Sequence, residues 1–298
     1  MRNICLAFLL LIASNIQAFH QPFFNMFYWN YSLYNSAYAG FEKKTSFSLM
    51  SSFKPLTKNE YSTRWGDPNI NDLEFKKGLA TELNAGTYVA LGKSGGIGLS
   101  ATAVNYFGYF QNNNTYKISS AYLFPIGKSY LSAGIGVDYN RDAIFMKVLN
   151  KGYYNYQSSY TNWETGLAFI NPEKHYHAGV SYLHAGRLPV KDSLRYLNSG
   201  LAFTLGADLC LKNGVVLKTN AMVVGAQDFG YYAIVGNIQA EFKSKIFTGV
   251  SYSISDDIWG INIGRQWKKI RGMYSLNTDI LMYPFKRNCH QLSFNYQL

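Results

Sequence analysis

The sequence predicts an all-β chain closing into a transmembrane antiparallel β-barrel of about fourteen strands, with short periplasmic turns and longer outer loops. Three observations carry this. Polar/apolar alternation at period two recurs along the 298 residues, and a strand's side chains point alternately to opposite faces. The alternating segments run ~10–13 residues, the length of a tilted membrane strand, whereas soluble strands average ~5–6. Every even-to-odd connection is also short and the long connections are all odd-to-even, as in bacterial outer-membrane barrels. A soluble sandwich or propeller is the competing architecture; it would bury the apolar faces that a barrel turns toward lipid.

Residues 1–18 read as a secretory signal. Arg2 supplies a positive charge, "ICLAFLLLIAS" an apolar run and Ala18 a small residue for cleavage; the run is too short to anchor the chain as a helix. Export makes nucleic acid an unsuitable partner, although 28 Lys+Arg against 17 Asp+Glu give a formal charge of +11. Beyond the signal only Cys210 and Cys289 remain, on strands that are not neighbours, so disulfides do not hold the chain together. Residues 19–44 form an aromatic lead-in, and 45–298 the barrel. Aromatic residues make up 17% of the chain against 7 prolines, a strand-rich composition.

The strands fall near 45–54, 79–91, 95–107, 114–124, 129–139, 161–171, 174–184, 198–211, 213–224, 230–242, 244–253, 257–267, 272–281 and 287–298. In the fifth, Leu131, Ala133, Ile135, Val137 and Tyr139 share one face, and Ser132, Gly134, Gly136 and Asp138 the other. Apolar faces that end in aromatics, such as Tyr176-Ala178-Val180-Tyr182, suit interfacial girdles. The opposite faces carry isolated charges: Glu82, Lys117, Asp138, Glu164, Asp208, Lys218, Glu241, Arg265 and Asp279. Charges are tolerable in a hydrated lumen and costly in a packed core.

Every even-to-odd connection is short and contains lysine: Lys93, Lys128, Lys174, Lys212, Lys243 with Lys245, and Lys268 with Lys269. Lysine is a common turn residue, which accounts for some of this. The sharper expectation is a basic periplasmic rim facing phospholipid headgroups or an acidic periplasmic partner, with attraction screened over ~8 Å. Odd-to-even connections include the long ones, 55–78, 140–160 and 185–197. No G-x-S-x-G, H-E-x-x-H, Walker or C-x-x-C motif appears, so neither enzymatic activity nor a cofactor is expected. His175, His177 and His184 cluster in one predicted strand, but no Cys or carboxylate pair completes a metal site, and they read as ordinary rim or lumen residues.

Several segments resemble a known family. "FFNMFYWNYSLYNSAYAGFEKKTSFSL" is similar to the start of the PorP/SprF outer-membrane proteins of the type IX secretion system of Bacteroidota, which open with an aromatic and Asn-rich segment ending in an N-P-A-Y-A-G-type motif. Here it reads Asn35-Ser36-Ala37-Tyr38-Ala39-Gly40, with Ser for the usual Pro. "YLSAGIGVDYN", "GLAFINPEKHYHAGVSYLHAGRL", "FTGVSYSISDDIWGINIGRQ" and "NCHQLSFNYQL" resemble later family segments in the same order, with Ser253 where Arg is usual and Cys289-His290-Gln291 for Ser-His-Glu. The resemblance implies that the lead-in packs at or in the periplasmic mouth and reaches the first strand through the Asn35–Gly40 turn; the competing reading makes residues 23–34 a further strand. It also implies a non-enzymatic, outer-membrane component of type IX secretion. Its partners would be outer-membrane lipid, periplasmic secretion and gliding proteins, and a large secreted adhesin held through its C-terminal domain. Tyr153, Tyr154, Tyr156 and Tyr160, in the 140–160 outer loop, are candidate contacts to that adhesin, since tyrosine offers rigid area and a hydroxyl; an interfacial girdle would use them equally well. The alternative function is a passive or substrate-specific diffusion channel, because strand count alone does not decide whether a lumen is open.

Overall fold

The computed structural model describes residues 30–54, 78–107, 111–148, 152–184, 200–211, 213–226, 232–254, 258–279 and 289–298. Fourteen strands close into a barrel in which each pairs antiparallel with its sequence neighbours and β1 returns to β14. They are β1 (Ser46–Lys54), β2 (Gly78–Ala90), β3 (Gly96–Phe107), β4 (Gln111–Ile126), β5 (Ser129–Val148), β6 (Gly152–Asn171), β7 (Tyr176–His184), β8 (Gly200–Cys210), β9 (Val216–Ala226), β10 (Tyr232–Glu241), β11 (Ile246–Ser253), β12 (Ile258–Trp267), β13 (Ile270–Asp279) and β14 (Cys289–Gln297). Closure leaves no sheet edge, which is what lets strands cross hydrocarbon with every backbone group paired. The predicted strands are all present; no helix among the described residues is long and apolar enough to span a membrane.

The faces are inverted relative to a soluble sandwich. Outward-facing Ile118, Ile135, Leu167, Leu205, Ile238, Ile261 and Ile263 are exposed, Ile118 at 70%. Inward-facing Glu82, Thr102, Lys117, Ser132, Glu164, Asn237, Asn262, Asn277 and Ser293 are buried. Lipid rather than water is the solvent that such an exterior fits. Aromatics bound the apolar band at both ends: Tyr116, Tyr139, Trp163 and Trp259 toward the long connections, and Phe124, Tyr176, Phe242 and Trp267 toward the short ones.

Turn chemistry explains the narrow rim. Ile126 pairs with Ser129 and Trp267 with Ile270, so each of these hairpins turns in two residues. Gly127 and Lys268 supply the positive φ needed at the first turn position, +59° and +49°. The expected loop at 140–160 is not one. The β5–β6 ladder continues to Val148↔Gly152, while the β4–β5 ladder ends at Gln111↔Ile144 and the β6–β7 ladder at Trp163↔His184. Residues 152–162 therefore extend the hairpin by roughly 35 Å of strand beyond β7's described end. Residues 152–162 stay paired with β5 over most of their length, so the chain continues as strand where a long connection was expected.

Candidate functional site: the occupied lumen

Residues 30–41 lie inside the barrel. Two short 3-10 turns, Tyr31–Leu33 and Ser36–Tyr38, replace the further strand that residues 23–34 offered as an alternative; residues 23–29 are outside the described set. Asn35 starts the second turn with an extended backbone, and its side-chain Oδ1 accepts from Ala37 N at 2.9 Å, an N-cap in miniature. Gly40 then takes φ +66°, and a Cβ there would meet Gly98 Cα at 2.4 Å. This is where the chain leaves the lumen for β1. The motif Asn35–Gly40 is thus the core of a plug: Asn35, Ser36, Ala37, Tyr38 and Ala39 are all buried.

The plug contacts eight successive strands. Asn30 Nδ2 donates to Glu82 Oε1 of β2 at 2.5 Å and to Thr102 Oγ1 of β3 at 3.4 Å. Lys117 Nζ of β4 donates to Leu33 O at 2.7 Å, and Ser132 Oγ of β5 to Ala37 O at 2.6 Å. Glu164 of β6 accepts from both Ser36 N (2.5 Å) and Ser36 Oγ (2.9 Å), while its second oxygen takes Lys117 Nζ at 2.7 Å. From β7, Ser181 Oγ donates to Tyr34 O at 2.7 Å, and His177 Nδ1 lies 3.0 Å from Tyr38 OH. Thr204 Oγ1 of β8 donates to Tyr38 OH at 2.9 Å, and Tyr31 OH donates to Asn220 of β9. A segment so satisfied is fixed, because each buried polar group left without its partner would cost ~1–3 kcal/mol.

Glycines make the room. A Cβ on Gly98 would stand 1.8 Å from Ala39 O, on Gly134 2.4 Å from Ser36 C, on Gly136 2.3 Å from Ser36 Oγ, and on Gly166 2.0 Å from Asn35 Oδ1. Tyr31, Tyr38 and Phe41 surround the His177 ring at 4.6, 5.3 and 5.5 Å between centroids. Lys43 Nζ sits 3.2 Å from the Tyr130 ring centroid at the exit. Beside it a mouth cavity of ≈ 60 Å³ is lined by Tyr31, Glu42, Lys44, Asn84 and Ser100, among others. Inside the same mouth, Lys218 pairs with Glu241 at 2.9 Å, and Arg271 approaches that carboxylate at 3.6 Å.

Most of the expected lumen charges face inward, but Arg265 does not. It shares its outward file with Ile261, Ile263 and Trp267 and is exposed. Apolar neighbours at odd positions fix its direction, and strict alternation could have shown this. Asp279 lies on β13, with its side chain outside the described set. Of the rim lysines, Lys93, Lys128, Lys174, Lys243, Lys245, Lys268 and Lys269 are exposed at the short turns, and Lys128 pairs with Glu173 at 2.9 Å; Lys212 is outside the described residues. Tyr153, Tyr154 and Tyr156 lie on β6 with side chains outside the described set, and Tyr160 is half-buried. Residues 1–18, 55–77 and 185–199 are likewise not described. His175 sits in the β6–β7 turn with φ +52°, not in the strand, so it cannot share a face with His177. Among the described residues no His, Cys, Asp and Glu group fit for a metal occurs, and neither Cys210 nor Cys289 is in a disulfide; Cys289 Sγ lies 2.8 Å from Ser52 Oγ.

No family model matches the chain, and no curated protein matches it by sequence. Solved structures do. The chain is similar to the Acinetobacter baumannii outer membrane protein Omp33 at 10% identity and TM-score 0.50, over 86% of this chain and 98% of that one. It is similar to the Ralstonia pickettii toluene transporter TbuX at 11% identity and TM-score 0.51, over 89% and 92%. A TodX monoaromatic hydrocarbon channel deltaS2 mutant matches at 9% identity and TM-score 0.51, over 85% and 89%. At such identities the likeness is one of fold: an outer-membrane β-barrel.

Proposed function

We propose that this barrel is a closed-lumen outer-membrane component of type IX secretion, supporting the secretion or surface attachment of a partner adhesin and linking it to periplasmic machinery. The observation that carries the reading is the plug. The Asn35–Gly40 motif, on which the resemblance to PorP/SprF proteins rests, is the segment that fills the lumen, and it does so through dedicated glycine seats and a buried ion pair. A barrel so occupied serves better as a scaffold than as a passive pore. Two surfaces support that role. The β5–β6 hairpin reaches outward beyond the described ends of β4 and β7 and carries Tyr153, Tyr154, Tyr156 and Tyr160. The opposite rim presents exposed lysines toward the periplasm. The test is a pull-down of the tagged protein from its native outer membrane in mild detergent. Co-purification of a large surface protein through its C-terminal domain, or of periplasmic secretion proteins, is the expected result; a protein that purifies alone, with secretion intact in its deletion strain, would sink the reading.

A second reading, a gated or substrate-specific channel, is favoured by one observation. The plug is held only by non-covalent contacts, and two similar structures are named as a transporter and a channel. Steady conductance of the unmodified protein in planar bilayers would move the assignment there.

A further inference from the structure

We infer that the outer wall around Arg265, Trp267, Lys245 and Lys268 is a binding site for the phosphate of an anionic phospholipid in the periplasmic leaflet. The inference stands apart from the secretory reading. Arg265 is the first reason. It lies on the lipid-facing side of β12, below exposed Ile261 and Ile263 and above Trp267, and none of the ion pairs among the described residues includes it. A guanidinium at the edge of hydrocarbon needs an anion, and its planar fork suits a phosphate in two-point contact.

The surroundings complete the site. Arg265 is flanked across the sheet by Ile246 and Gly272, and a Cβ at Gly272 would meet Trp267 at 3.4 Å and Phe294 at 3.5 Å. Gly272 is itself buried, so the two rings close over it and form an apolar wall beside the guanidinium. The guanidinium carbon is 5.6 Å from the Trp267 ring centroid. Tryptophan at headgroup depth is where a glycerol backbone rests.

The turn lysines are the second reason. Lys245 and Lys268 adopt φ +64° and +49°, a conformation that glycine takes freely and other residues take at about 1 kcal/mol or more. The two turns are tied together by Gln266 N donating to Lys245 O at 2.9 Å. Both turns thus hold a lysine where glycine would fold more cheaply, one leading into β11 and one leaving β12, the strands that pair at Arg265. Apolar files above, cations at the level where the strands end, and an aromatic between them match a phospholipid's order from chain to headgroup. A soluble acidic protein would need the cations to face the periplasm, whereas Arg265 faces the bilayer.

The experiment is titration of the full-length, delipidated protein in mild detergent with dioleoyl phosphatidylglycerol, read by native mass spectrometry, with dioleoyl phosphatidylcholine as the zwitterionic comparison. Phosphatidylglycerol should be retained preferentially. Arg265→Gln should weaken it about tenfold, and Arg265→Lys by less, since charge survives but the two-point contact does not. Lys245→Gly with Lys268→Gly should weaken it while leaving the melting temperature equal or higher, because glycine relieves the backbone. Equal retention of both lipids, or unchanged phosphatidylglycerol binding by Arg265→Gln and by the glycine pair, would overturn the site. Displacement of the lipid by inorganic phosphate would assign a free-anion site instead and overturn the lipid assignment.

Discussion

Replacing Glu164 by glutamine should loosen the plug while leaving the wall intact. The Glu164 carboxylate accepts from Lys117 Nζ, Ser36 N and Ser36 Oγ, all at 2.9 Å or less, and is buried with Lys117. An amide retains an acceptor for Ser36 but removes the counter-charge of Lys117. Breaking one side of a buried pair costs ~3–5 kcal/mol. Lys117 keeps Leu33 O at 2.7 Å and has Asp138 directly across in β5, so the lower end, about 3 kcal/mol, applies. At ~1.4 kcal/mol per tenfold the open population rises about a hundredfold. The assay is hydrogen exchange of amides 30–41 in detergent, alongside single-channel recording. Exchange in the plug should accelerate about a hundredfold while strand amides are unchanged, and transient current steps should appear. The double variant Lys117→Met/Glu164→Leu, which removes both charges, should recover much of the protection. Wild-type exchange in Glu164→Gln would refute the idea that this pair latches the lumen.

The glycine seats predict a steric contrast. Gly134→Val should cost ~1–3 kcal/mol or more by overpacking, seen as loss of the compact band on unheated gels, whereas Gly236→Ala, with nothing near its Cβ, should leave that band unchanged. Tyr38→Phe removes the hydroxyl shared by Thr204 and His177 and should lower stability by ~1–3 kcal/mol in denaturant titrations from vesicles, with the barrel still formed. Leu205→Arg, at the centre of β8 on the exposed face, should cost ~2–4 kcal/mol in the same titration; an effect near zero would mean that this face does not meet lipid. Charge reversal at Lys93, Lys243, Lys245, Lys268 and Lys269 together should reduce secretion of the client protein if the short-turn rim docks periplasmic machinery, and unchanged secretion counts against that docking.

The barrel was legible because its signal is local and repeated. Alternation such as Leu131 to Tyr139 specifies a face residue by residue, and a hairpin such as Ile126–Ser129 announces its turn by Gly127. The plug was only half legible. The motif at Asn35–Gly40 marked a special segment, but the depth of the plug depended on partners 52 to 189 residues away, and no period in the sequence couples Ser36 to Glu164. The signal that could have found it was the wrong kind of small residue. Gly134, Gly136, Gly166 and Gly179 weaken strands, so a run of them on inward positions asks what backbone approaches so closely. The segments that carried the family resemblance, "YLSAGIGVDYN" and "GLAFINPEKHYHAGVSYLHAGRL", contain those four glycines. Arg265 and residues 140–160 depart from expectation for separate reasons: parity rather than charge sets the direction of the first, and the second continues as paired strand where a long connection was expected.

The order of the plug's contacts bears on how the molecule is built. The segment precedes β1 in the chain, yet its hydrogen-bond partners named above run from β2 round to β9, while towards β10–β13 it packs through apolar clusters that include Val235, Phe247 and Met273. A cylinder already shut at the β1–β14 seam would have to admit Asn35, Ser36 and Tyr38 through its mouth, stripping water from each before its partner was met. A growing sheet that curls round the segment meets those partners one strand at a time, and pays that desolvation gradually. In a sheet that grew this way the chain's own beginning would be the former on which the wall is shaped, its polar groups met first and its apolar side chains covered as β10–β13 arrive.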